Sequence, residues 1–353
     1  MKPMESPVVY FKGLFSKKLK SNALTVVGAS SISKHKQPVS PFVVIVKKEI
    51  GDQVRSWRFI VLLVLIVLTF LGSMYVSMTN ITNPAASSAI PDNGLLYLKI
   101  LTTTDGSLPS FHIFMSFLGA ILGIGLGFDA VNSEQQNGTL IRLLAQPIYR
   151  DNFLLAKFIS PLIVISALFL SLGLLMIGGG LVITGVSIEI VEVLRILTFI
   201  LLTVLYVGFW LSLSILLSVK FKQATTSALT AIGIWLFFTI FYKIVVNMVV
   251  KAFLPDPAFL SQTDILDYNN LILGFLRFAP SQLYTDATTV MLMPAVRSLG
   301  PLTMEQMAGA IPAPLSFRES VLIVWPQITG LIAATVMCFA ISYYWFMRRE
   351  IRS

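Results

Sequence analysis

Residues 57–76 read WRFIVLLVLIVLTFLGSMYV, with a single charge, Arg58, at the leading edge. The hydrocarbon core of a bilayer is about 30 Å thick and takes roughly 20 apolar helical residues to cross. This stretch meets that length, and it is not alone. Spans are predicted at about 57–76, 111–130, 154–179, 196–218, 225–250 and 321–346. The composition agrees: 56% of the 353 residues are hydrophobic and only 12% are charged, and the mean hydropathy is +0.82. A chain of this length has room for two soluble domains, but that composition excludes them. The fold class is all-α, an integral membrane protein with six transmembrane helices.

An even number of spans puts both termini on one side, and the basic residues choose which. Lys and Arg number 26 against 17 Asp and Glu, a formal charge of +9. They gather at the ends of apolar spans and in the N-terminal arm, the pattern that sets membrane topology rather than one that reads a duplex; no nucleic-acid partner is implied. The arm, residues 1–40, holds Lys12, Lys17, Lys18, Lys20, Lys34 and Lys36 among Ser, Gly and Pro. It is too polar to bury a core and reads as a flexible basic cytoplasmic arm without the apolar core of a signal peptide. Arg142, Arg150, Lys157, Lys220, Lys222, Arg348, Arg349 and Arg352 fall on the same side. Both termini are therefore expected in the cytoplasm. Cys338 is the only cysteine, so no intrachain disulfide and no cysteine-based metal site can form.

Before the first span, residues 41–57 read PFVVIVKKEIGDQVRSW. Val43, Val46, Ile50, Val54 and Trp57 recur at spacings of three and four, with Lys47, Lys48, Glu49, Asp52 and Arg55 between them. That period predicts an amphipathic helix lying in the membrane interface, and an ordinary cytoplasmic helix is the plainer alternative. The last outer loop, about residues 251–320, carries Pro255, Pro257, Pro280, Pro294, Pro301, Pro312 and Pro314, which stop any single helix. Short helices are expected there, forming a small extracytoplasmic subdomain packed on the outer ends of the spans. Ser281 is a candidate cap for one of them.

Chemistry of its own is hard to find in this chain. No GxxxxGK[ST] phosphate loop occurs, and no GxSxG elbow. His35 and His112 are far apart and in different predicted compartments, which leaves no zinc site. Charges within spans flag function by default. Two candidates arise. Lys243 either snorkels outward along its stem or contacts a substrate or ion. Asp129, at the cytoplasmic end of the second span, either bonds the backbone, pairs with a basic residue, or reaches water. Gly119, Gly123, Gly125 and Gly127 allow another helix to approach closely, within the chain or across a dimer. Gly178, Gly179 and Gly180 are expected to end or bend the third span.

Between the second and third spans lies 132–147, NSEQQNGTLIRLLAQP. Gly138 can break the second helix and Thr139 can cap a new one, whose apolar face is Leu140, Ile141, Leu143 and Leu144, ending at Pro147. The result is a short amphipathic helix on the cytoplasmic face, suited either to the interface or to a groove on a soluble partner. The order Glu134, Gly138, Thr139, Leu140, Leu143, Leu144, Pro147, Arg150 and Lys157 resembles the ABC-2 family of ABC transporter permeases. The likeness extends to KKEIGDQVRSWRF, which looks like that family's interfacial elbow helix, and to APSQLYTDA in the last outer loop. It covers nearly the whole chain from about residue 41, and the subfamily it suggests is the NosY-type permeases. The long arm and long outer loop are less typical of the family.

The resemblance implies a multi-pass permease domain over residues 41–350 in the plasma, or cell inner, membrane. It implies pairing with a second permease subunit, in a homo- or heterodimer, and with cytoplasmic ATP-binding subunits. No cofactor is expected in this chain, with ATP and Mg held by the partner. The short helix would be the coupling helix, seated in the ATPase, and the chain itself would not be an enzyme. The rival readings are a secondary transporter and a membrane-anchored scaffold.

Overall fold

The computed structural model describes residues 40–82, 95–103, 109–140, 149–253, 262–296 and 314–348. Among these, every regular element is helical. Helix α1 (Pro41–Val54) turns at Ser56 into α2 (Trp57–Thr82). After it come α3 (Leu96–Thr102), α4 (Phe111–Gly127), the short α5 (Asn132–Gln136), α6 (Arg150–Thr184) and α7 (Ile190–Lys220). The chain continues as α8 (Ala224–Leu236), a π-helical turn (Phe237–Phe241) and α9 (Tyr242–Phe253), which together make one rod. Last are α10 (Gln262–Leu276), α11 (Pro280–Leu292) and α12 (Phe317–Arg348). Six of these rods are long and apolar enough to cross a membrane: 57–81, 111–136, 150–184, 190–220, 224–252 and 317–348. We call the face carrying α1 and α5 the near face, and the opposite one the far face.

Helix α7 is the axis of the bundle. Of its most apolar stretch 72% is buried, against 11% for the α8–α9 rod at the periphery. Small residues let α4 lie against it. A Cβ on Gly123 would come within 2.6 Å of the Val207 carbonyl and 2.8 Å of Trp210 Cβ, and one on Gly127 within 2.8 Å of Ser214 Cβ. No side chain fits at such a contact, so glycine fixes the helix spacing. The glycine stripe of α4 thus packs within the chain, with Gly125 turned toward Leu62 of α2. The glycine triplet of the third span, expected to end or bend it, does not end the helix. Helix α6 runs through it to Gly185, which takes the left-handed conformation at φ +68°. Gly179 and Gly180 instead make room for Met74 and Tyr97.

Before the last span, the described residues 262–292 form the short helices expected there, but they reach deeper than the outer ends of the spans. Tyr284 of α11 stacks on Tyr206, ring centroids 4.5 Å apart, and its hydroxyl is 3.0 Å from that of Thr203. Tyr206 lies 16 residues from the far end of α7, about 24 Å at 1.5 Å per residue. Beside it, Leu283 touches the Gly330 position of α12, 13 residues or about 20 Å from that helix's far end. On the other side the Tyr242 hydroxyl donates to the Phe275 carbonyl at 2.7 Å, joining α10 to α9. Helices α10 and α11 therefore form a hairpin that enters the bundle from the far face and turns at Arg277–Ala279 near mid-depth. Ser281 does not cap α11. Ala279 holds the cap position and Pro280 the first helical one, where its missing N–H costs nothing.

At the mouth of this hairpin Arg195 of α7 is buried and donates to the Met291 and Leu315 carbonyls and to Ser320 Oγ at 2.9, 2.7 and 3.1 Å. It lies inside α7 and ties α11 and the start of α12 to the axis. Glu192, one turn earlier, accepts the Tyr97 N–H at 2.9 Å and closes a capping box with Glu189.

Candidate functional site at the near face

Five charged side chains meet where α1, α5 and α6 converge. Lys157, 8% exposed, places its Nζ 2.7 Å from Glu49 and 3.3 Å from Glu134. Glu49 is 4% exposed on α1. Lys48 bridges the same two carboxylates at 3.3 and 3.7 Å and reaches Asp52 at 3.4 Å. Burial works against the Lys48 charge, but the carboxylates of Glu49, Glu134 and Asp52 outweigh it and hold the ammonium above its ordinary pKa. Charges this buried persist only when paired on several sides. Helices α1 and α6 are brought together by Ile45 and Val46 packed on Ala156, and by Ser160 Oγ donating to the Val46 carbonyl at 3.3 Å.

Glu134 reaches the knot because the chain is held on both sides of it. The N–H groups of Val131 and Asn132 donate to Ser218 Oγ at 3.0 and 3.2 Å, pinning the start of α5 to the end of α7. Gln136 Nε2 donates to the Lys222 carbonyl at 2.9 Å. Gly138 then turns the chain at φ +68°, a conformation glycine adopts without strain. The Thr139 hydroxyl points back to the carbonyl and carboxylate of Glu134. Leu140 is buried in the main core. Residues 141–148, with Leu143, Leu144 and Pro147, lie outside the described residues; Arg150 reappears exposed at the start of α6.

Next to the knot, Asp129 pairs with Arg58, whose guanidinium also lies 4.9 Å over the Phe128 ring. The two groups wall a cleft of about 180 Å³ shared with Glu49, Asp52, Glu134 and Lys157. Each of these carboxylates faces a cation, so the arrangement is one of mutual neutralisation, and its consequence is mechanical. It fastens α1, the end of α4 and the start of α6 into one unit on either side of residues 141–148.

Of the apolar positions expected on the interfacial helix, Val46 is buried and Ile50 half-buried, whereas Val43 and Val54 are exposed, as is Trp57, at 76%, which falls at the start of α2. The helix thus has a protein side and an open apolar side. Lys243 sits apart, exposed on α9 beside the hairpin. Spacing alone assigns Glu49 and Lys48 to the polar side of α1; only distant Lys157 shows why Glu49 is held inside, while Lys48 stays half-exposed and reaches Glu134.

Residues 43–351 match the family model for the ABC-2 family transporter protein. The chain belongs to this family. Among curated relatives it is 26% identical to the probable ABC transporter permease protein NosY of Stutzerimonas stutzeri over 236 residues, covering 64% of this chain and 80% of that one. It is 25% identical over 182 residues to the protein of the same description from Pseudomonas aeruginosa, covering 48% of this chain and 65% of that one. The ABC-2 chain is thus a multi-pass transmembrane subunit of an ABC transporter, and its similarity to the NosY permeases is of a distant kind. In that setting two residues of the near-face knot, Glu134 and Lys157, bound the segment whose residues carry the family resemblance.

Proposed function

We propose that this permease moves its cargo with energy from ATP hydrolysed in a separate cytoplasmic subunit, and that the near-face knot carries the motion of that subunit into the spans. The observation behind this is the Glu49–Lys157–Glu134–Lys48 network. It grips the chain on both flanks of residues 141–148, so a push on that segment moves α1, α4 and α6 together. The energetic requirement is only that the nucleotide-loaded ATPase bind one arrangement of the spans better than another. ATP and Mg belong to that partner, and no cofactor is assigned to this chain. The near face is cytoplasmic in this reading, in keeping with Arg150, Lys157, Lys220 and Lys222 gathered there. The membrane is the plasma membrane, α1 rests in its interface on Val43, Val54 and Trp57, and a second permease subunit completes the pathway.

Leu143→Asp and Leu144→Asp put a charge on the apolar face of the proposed coupling helix. They are expected to remove the co-purifying ATPase and abolish transport while the chain still inserts. Normal co-purification and normal transport by both variants would overturn the coupling assignment.

A further inference from the structure

The hairpin brings charge to a depth where a lipid-facing surface does not tolerate it. Its turn, Arg277–Ala279, follows Phe275, whose carbonyl is bonded by Tyr242, 11 residues or about 17 Å from the far end of α9. At that turn the Arg277 side chain is 38% exposed and Phe278 is 72% exposed. Lys243, adjacent to Tyr242 on α9, is exposed as well. A cation at the centre of a bilayer costs about 2.5–3.5 kcal/mol even on the mildest scales, so such a surface faces water, protein or an opposite charge.

A second observation shows that the polar groups here are incomplete. Asp286, 7% exposed, accepts Gln282 Nε2 at 2.6 Å through Oδ1. Its other oxygen, Oδ2, stands 3.5 Å from Arg277 Nε, and both atoms are buried without a hydrogen bond. A buried donor and a buried acceptor left without a hydrogen bond are costly unless something completes them. Counted together, Lys243, Arg277 and Asp286 carry one net positive charge. Phe241 on the π-helical turn, Phe275 at the end of α10 and Phe278 in the hairpin turn are exposed as well.

We propose that the hairpin turn and Lys243 form a mid-membrane binding site for the anionic headgroup of an amphiphile, the class of cargo this permease carries. The headgroup meets Lys243 and Arg277, and the exposed phenylalanines take the start of the alkyl chain. The proposal rests on the permease reading but concerns binding, so it is tested without the ATPase.

The full-length chain, in nanodiscs of neutral phosphatidylcholine, is photolabelled with a diazirine-bearing alkyl phosphate, and the labelled residues are mapped. Labels are expected to concentrate on 237–243 and 275–279. Dodecyl phosphate should compete and dodecyltrimethylammonium should not. Lys243→Gln is expected to weaken competition by about tenfold, a single lost charge contact, whereas Lys243→Arg retains it. Lys243 is exposed and its replacement leaves the core intact; Arg277→Gln, which also disturbs Asp286, is read only in preparations whose unfolding temperature matches wild type. Labels spread evenly over the peripheral spans, competition unchanged in Lys243→Gln, or equal competition by the cation would each overturn the site. So would a cross-link from position 243 to a second copy of the chain that excludes the probe. Phosphate-selective binding together with native-membrane purification that yields no ATPase would leave the site standing and remove the coupling reading instead.

Discussion

Lys157 is the residue on which the near face turns. It enters a span as an ordinary first-turn cation by sequence, yet it is buried with Glu49 on one side and Glu134 on the other. Lys157→Met would leave two carboxylates in a dry site with only the half-exposed Lys48 to neutralise them. Breaking a buried pair in this way costs about 3–5 kcal/mol. A clear fall in the unfolding temperature of the purified chain is expected, with Lys157→Arg much closer to wild type; an unchanged temperature in Lys157→Met would show the knot to be loose. Little of this was legible beforehand. Spacing marks Glu49 as polar-face, and the same spacing is produced by a solvated charge. Only a partner 108 residues on in the chain, Lys157, distinguishes the two, and sequence pattern carries no information at that separation. Asp129 was open among three partners, and the structure selects Arg58.

At the scale of elements, helix packing is decided by where a Cβ has no room. Gly123→Ala drives a methyl group into the α7 backbone and should destabilise by about 1–3 kcal/mol. Gly178→Ala, in α6 with nothing within 4 Å of the added carbon, should be neutral or slightly stabilising. Thermal unfolding of the two variants side by side checks both, and equal behaviour would contradict the packing described for α4 and α7. The six spans were readable because twenty apolar residues have few other destinations. The hairpin was not. Helices α10 and α11 have 15 and 13 residues, too short to span, and their prolines and charges resemble a surface loop. Their depth is set by the Tyr284–Tyr206 stack and the Thr203 hydroxyl, which is tertiary packing. Tyr284→Phe removes that buried hydroxyl contact and should cost about 0.5–1.5 kcal/mol by the same measurement. The π-helical turn at Phe237–Phe241 likewise has no periodic signature in a run that is apolar on every side.

At the largest scale, the described residues from Phe42 onward form a bundle around α7 with two polar assemblies at different depths. One, at the near face, fastens the segment proposed to meet an ATPase; the other, at the hairpin turn, sits in the middle of the membrane. Hydropathy located the bundle, and the ordered residues from Glu134 to Lys157 located its family. Residue pattern could not show that an outer loop would return into the bundle with Arg277 and Asp286. The account stands on this chain drawing its energy from another. Affinity purification of the wild-type chain from its native membrane tests that most directly. A stoichiometric ATP-binding subunit should come with it, hydrolysing ATP in a vanadate-sensitive manner. A chain that purifies without any ATPase and supports uptake driven by an ion gradient alone would contradict it.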